Sequence, residues 1–208
     1  MLAAAARLFA ERGFDGVTLG DIGEAAGVSG PAVYRHVSSK QALLGAILVD
    51  VSERLLRGGR GVGHDPQTPD DRLARCSPDT PAPAFENPGP ETDPRTTKGP
   101  GGVLEALVDF HVTFALAEAD VIRVQDRDLD RLSPDDRRAV RDLQNAYVAV
   151  WTAALAARNP DAESPAERRV RALACFGLIN STPHSVRGVP ASRVRPTLTR
   201  MALAALTA

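Results

Sequence analysis

Residues 27–40 read GVSGPAVYRHVSSK, and how this stretch is read decides the fold. Gly30 and Pro31 look like a turn, yet they stand directly before an apolar and basic run. Ser29 is a good N-cap, and proline fits the first turn of a helix because its missing N–H would have no partner there. The pair therefore opens a helix that runs to about Val37, where Ser38 and Ser39 offer a cap for a fourth helix beginning near Lys40. Working back from Gly27, Thr18 stands three residues ahead of Asp21 as a capping box, and Leu19, Ile22 and Ala26 give a second helix its buried face. Further back, Leu2, Ala5, Ala6 and Phe9 recur at helical spacing until Gly13. Two short helices joined by a tight turn, the second starting at a capped serine, have the geometry of a helix-turn-helix.

In that motif the second helix lies in the major groove of DNA and its N-terminal residues reach base edges. Here those residues are Gly30, Pro31 and Ala32, too small for bidentate hydrogen bonds to bases. Base reading then rests on methyl contacts, close backbone approach, and the neighbours Arg35 and His36. Thr18, Ser29, Tyr34, His36 and Lys40 carry hydroxyl, imidazole and ammonium groups suited to phosphate oxygens. No acidic residue interrupts the stretch from Gly27 to Lys40. Taken singly, each of these side chains also fits an ordinary solvated or packing position, and only their joint spacing favours contact with DNA.

The 208 residues, 43% of them hydrophobic and 4% aromatic, are ample for a buried core. Abundant Ala and Leu with few β-branched runs point to an all-α protein. A net charge of −1 neither supports nor excludes DNA, so attraction to a polyanion must come from local charge. No apolar segment reaches the length of a membrane span, and the chain is expected to act in the cytoplasm. Cys76 and Cys175 lack metal-ligand spacing, and His36, His64, His111 and His184 fall in four separate segments. Neither a metal site, a cofactor nor an enzyme is expected.

Leu44, Leu48, Val51 and Leu55 make the fourth helix long and amphipathic, with Gly58 and Gly59 as its expected end. From Gly58 to Gly101, sixteen of forty-four positions are Gly or Pro, and the segment reads as a flexible linker. Three regions follow: a unit over 1–57, the linker over 58–101, and a helical domain over 102–208. In the last, Leu104, Leu107, Val108 and His111 share a face, and Asp120–Asp130 is expected to form a short helix or turn. Ser133 and Pro134 open a long helix carrying Val140, Leu143, Tyr147, Val150, Trp151 and Ala154 inward. Ser164 and Pro165 open another, with Val170, Leu173, Gly177 and Leu178 as its apolar side, ending or kinking at Pro183. A last helix is expected from about Pro196 to Leu206.

The run AARLFAERGFDGVTLGDIGEAAGVSGPAVYRHVSSKQALL resembles the DNA-binding domain of TetR-family transcriptional regulators, through LFAERGF, AAGVS, YRH and SK-x-x-LL. The resemblance implies a TetR-like fold in which a helix-turn-helix unit is joined by the fourth helix to a helical bundle. It also implies a homodimeric, usually repressing regulator that binds a palindromic operator in double-stranded DNA and responds to a small-molecule effector. Its dimer interface would be the helices after Pro165 and Pro196, and an acyl-CoA-like or other hydrophobic metabolite is the implied effector class. Gly23 and Val37 depart from the usual Ala and Phe, which removes packing volume. Met1 falls inside the first helix, where members usually carry a basic stretch ahead of it, so a start further upstream or weaker DNA binding is expected. The competing reading is a regulator-like protein that has lost DNA binding and acts as a small-molecule binder or through protein partners.

Within the helical domain, His111, Tyr147, Trp151 and Asn180 put polar or aromatic groups on apolar faces, and Arg123 is a candidate partner for an acidic group. Buried polar groups need partners, which either a ligand or neighbouring protein groups supply. Both readings stay open on the sequence.

Overall fold

The computed structural model describes residues 1–28, 35, 37–62, 100–161, 163–186 and 188–208. These residues build an all-α protein. Helix α1 spans Leu2–Arg12 and ends at Gly13, whose φ of 80° no β-carbon-bearing residue adopts readily. Helix α2, Leu19–Ala25, starts at a full capping box: the Thr18 hydroxyl accepts from the Asp21 amide, and the Asp21 carboxylate accepts from the Thr18 amide. The Thr18 hydroxyl and amide both donate to the Asp21 carboxylate and hold it below the usual carboxylate range. Gly27, at φ 68°, turns the chain out of α2 with open space around it, so backbone conformation alone demands glycine there. The predicted recognition helix falls mainly on residues 29–34 and 36, outside the described residues; Arg35 is helical and exposed.

Helix α3, Lys40–Gly61, is capped by Ser39, whose hydroxyl accepts from the Ala42 amide. It does not stop at Gly58 and Gly59 as their residue type suggests, and so runs through the expected boundary at 57/58. Both glycines are close-packing positions: a β-carbon at Gly58 would fall within the Phe110 ring, and one at Gly59 would meet the Tyr147 ring. Tertiary contact thus overrides the local preference of glycine to end a helix. Of the expected linker, residues 63–99 lie outside the described residues.

The second region contains α4 (Pro100–Ala117), α5 (Ala119–Asp128), a 3-10 turn (Leu129–Arg131) and α6 (Pro134–Arg158). It continues with α7 (Pro165–Asn180), the single turn α8 (Thr182–Ser185) and α9 (Ala191–Thr207). Ser133 and Ser164 cap α6 and α7, each followed by proline at the first helical position. Helix α7 ends at Asn180, and Pro183 sits in the first turn of α8.

Two expectations are corrected here. Helix α9 begins at Ala191, five residues ahead of Pro196, which lies inside the helix. The inward face of α7 is Ala172, Cys175 and Ile179, whereas Val170 and Leu173 are 67% and 45% exposed. This helix carries two apolar stripes, and the bundle uses the one that runs through Ala172, Cys175 and Ile179.

The core divides into two clusters. One gathers Phe9, Val17, Ile22, Leu43, Leu44 and Leu48 with Val121, Val124, Leu132 and Val140, so α5 and the start of α6 are packed into the same core as α1–α3. The other surrounds Leu104, Leu107, Tyr147, Trp151, Cys175 and Ile179, and takes in Leu56 from the far end of α3. Burial raises the Cys175 thiol to about 11, so it stays protonated and inert.

Candidate functional site

Of the side chains that the sequence offers to DNA, Thr18, Arg35 and Lys40 lie among the described residues. Ser29, Gly30, Pro31, Ala32, Tyr34 and His36 lie outside them. The exposed Thr18 hydroxyl also donates to Asp21 at 2.6 Å, so it is engaged at the start of α2. Lys40 turns back toward its own domain. Its ammonium donates to the carbonyls of Phe14 and Val17 at 2.7 and 2.8 Å and lies 4.5 Å from the centroid of the Phe14 ring. The first task of Lys40 is therefore to fasten the α1–α2 connection to the start of α3, and one of its three N–H groups remains for a phosphate.

Helix α5 joins the two regions. The Arg127 guanidinium donates to the carbonyl of Phe9 in the last turn of α1 and reaches the carbonyl of Ala10 at 3.5 Å. Asp128 holds that guanidinium at 2.9 Å and is itself 5% exposed. The C-terminus of α1, where carbonyls lack helical partners, is thus capped by a cation from another element. Nearby, Arg54 of α3 reaches Glu118 at 2.8 Å, and Arg131 reaches Asp15 at 2.6 Å.

Four of the five side chains picked as ligand candidates come together in the bundle. His111 Nδ1 lies 3.2 Å from the Tyr147 hydroxyl, and Nε2 lies 3.1 Å from Oδ1 of Asn180. His111 is 2% exposed, and burial holds its pKa down at about 4, against the opposing hydrogen bond from Asn180, so the ring is neutral. Burial also raises the Tyr147 phenol. The Trp151 indole N–H is buried without a hydrogen-bond partner among the described residues, and its ring meets that of Tyr147 edge-on at 6.2 Å. Phe176, which the sequence reading passed over, completes the cluster: its ring stacks on Tyr147 at 5.5 Å and meets the edge of Trp151 at 4.9 Å. The signal available was its place one turn before Asn180 on α7. Arg123 stands apart from this cluster, bonded to Asp120 and to the Pro183 carbonyl.

Two family descriptions match this architecture. Residues 1–47 match bacterial regulatory proteins of the tetR family, and residues 98–184 match the tetracyclin repressor-like C-terminal domain. The chain belongs to the TetR family. It is a TetR-family transcriptional regulator, a class that acts by binding DNA and not by catalysis. No curated protein matches it. Solved structures agree with the TetR fold along nearly the whole chain. A tetR-family regulatory protein from Rhodococcus RHA1 is 20% identical, with a TM-score of 0.71 over 99% of this chain and 94% of that one. The ketosteroid transcriptional regulator KstR2 of Mycobacterium tuberculosis is 18% identical, with a TM-score of 0.69 over 98% and 91%. AibR, solved in complex with isovaleryl coenzyme A and operator DNA, is 15% identical, with a TM-score of 0.65 over 96% and 94%. At such identities the likeness is one of TetR fold. Among the described residues, no helix is long and apolar enough to cross a membrane, and no three potential metal ligands converge.

Proposed function

We propose that this regulator is a repressor that binds a palindromic operator as a homodimer and is released by a small hydrophobic metabolite. The observation that carries the effector part is the neutral His111–Tyr147–Asn180 group, enclosed by Trp151 and Phe176 in an apolar bundle. A polar centre inside an apolar wall suits a mostly hydrophobic ligand with one or two hydrogen-bonding groups. A ligand entering there exchanges bonds now made within the cluster. KstR2 is named for ketosteroids and AibR was solved with isovaleryl coenzyme A, which supports a hydrophobic or acyl-CoA-like effector here.

DNA contact rests on the recognition segment that the sequence places after Gly27. Gly30, Pro31 and Ala32 approach the bases, Arg35 and His36 stand beside them, and Ser29, Tyr34 and Lys40 serve the phosphates, while Thr18, whose hydroxyl proton goes to Asp21, holds the start of α2. Dimerisation rests on α7 and α9, adjacent helices on which Val170, Leu173 and Met201 remain exposed. Two-fold pairing of that face would give the symmetry that a palindromic operator requires.

Fluorescence anisotropy against DNA flanking the protein's own coding region, at two salt concentrations, tests the reading. A palindromic site bound with a steep salt slope supports it. A folded dimer that binds no such site overturns it. Tyr34→Ala should weaken all sequences alike, and a change of preferred sequence would refute its phosphate role.

A further inference from the structure

Arg123 lies outside the aromatic cluster but beside a second opening in the fold. Between α4, α5 and α8 is an open-mouthed pocket of about 130 Å³, walled by Ala115, Leu116, Pro183 and Val186. Arg123 and Thr182 supply its polar side chains. The guanidinium uses one N–H on Asp120 at 2.9 Å and one on the Pro183 carbonyl at 3.0 Å, which fix its plane and leave the rest of its five donors for another acceptor. Thr182 is 2% exposed, yet its hydroxyl has no hydrogen-bond partner within the protein. A buried hydroxyl without a partner costs stability, so its presence beside a fixed cation calls for a ligand or ordered water to complete it.

The start of α5 adds to the same field. Ala119, its first residue, lines the pocket, and Glu118 at the N-cap makes no side-chain cap. The first amides of α5 are therefore free of a side-chain acceptor, and the positive end of the helix dipole faces this region. One cation, one hydroxyl and an uncapped helix start favour an anion, while the aliphatic wall favours a carbon chain.

We propose that this pocket binds a short-chain carboxylate of three or four carbons. Size sets the chain length: a cavity of about 150 Å³ holds benzene, with its six heavy atoms, and butyrate has the same number. The carboxylate takes the free edge of Arg123, the Thr182 hydroxyl turns into the cavity to meet it, and the alkyl chain lies against Leu116, Pro183 and Val186. Neither the aromatic cluster nor the effector reading is needed for this site, so each proposal fails independently of the other.

Calorimetric titration of the full chain with butyrate tests it, with butylamine, n-butanol and inorganic phosphate as comparators at matched ionic strength. Butyrate should bind saturably, one per chain, and at least about tenfold more tightly than each comparator, as expected for a charge-assisted hydrogen bond. Arg123→Leu should abolish binding. Thr182→Val, which keeps the side-chain volume, should weaken butyrate about tenfold and yet raise the Tm of the ligand-free protein, because it removes an unpartnered buried hydroxyl. A purely structural threonine would not separate those two readouts. If Arg123→Leu fails to fold, Thr182→Val alone decides. The proposal is overturned by absent butyrate binding, by equal binding of n-butanol or phosphate, or by unchanged butyrate affinity in Thr182→Val.

Discussion

Nε2 of His111 sits 3.1 Å from Oδ1 of Asn180, an oxygen that can only accept, so the neutral ring carries its proton there and accepts from Tyr147 through Nδ1. Protonating Nδ1 would turn the Tyr147 hydroxyl from donor to acceptor and leave a positive charge in a buried place. The ring's folded pKa of about 4 lies below its unfolded value of 6.5. Because the unfolded chain then binds the extra proton, this contribution to stability is complete above about pH 6.5 and is lost as pH falls toward 4. Between pH 7.5 and 5 the loss should be about 2 kcal/mol. Thermal melts of the wild type and His111→Gln at the two pH values check this, and the variant should lose markedly less.

Arg127→Ala leaves the buried Asp128 carboxylate without its cation and uncaps the end of α1. As Arg127 is partly exposed, the cost should be about 2 kcal/mol, below that of a fully buried pair. Removing both members, in Arg127→Ala with Asp128→Ala, should recover part of it. Urea melts of the single and double variants would show the coupling, and strict additivity would contradict it.

Gly58→Ala and Gly59→Ala should each destabilise by about 1–3 kcal/mol through collision with Phe110 and Tyr147, although alanine is the better helix former. Gly61→Ala is the control, since nothing lies near its added carbon. It should be neutral or slightly stabilising in the same melts. A loss at Gly61 equal to that at Gly58 would refute the packing argument.

Leu173→Glu and Val170→Glu place charges on the exposed stripe of α7 and touch little within the chain. If the proposed α7–α9 dimer forms, light scattering should show a dimeric wild type and monomeric variants, with the stability of the chain changed by less than about 1 kcal/mol. A dimer that survives both changes would locate the interface elsewhere.

Much of this architecture was legible in the sequence because helix starts are written locally. Thr18 with Asp21, Ser39, Ser133 with Pro134 and Ser164 with Pro165 all cap helices where their chemistry demands. Ends and faces proved harder. Gly58 and Gly59 carry the local mark of a stop, and only the rings across the interface explain why the helix continues. On α7 both stripes, Val170 with Leu173 and Ala172 with Cys175 and Ile179, are apolar at helical spacing, so periodicity alone does not choose between them. The polar centre was half legible: His111, Tyr147, Trp151 and Asn180 could be picked as polar or aromatic groups on apolar faces. That they meet one another, with Phe176 between them, depends on how three helices cross.

Helix α3 has one end in each core and no break along its 22 residues. From the glycines seated against Phe110 and Tyr147 to Lys40 is about 28 Å at helical rise. A swing of about 5° about that seat would carry the Lys40 end about 2 Å. Lys40 holds the carbonyls of Phe14 and Val17, so that displacement would pass straight to the connection before α2. The same helix thus touches the ring of Tyr147, the residue that hydrogen-bonds His111, at one end and the connection before α2 at the other.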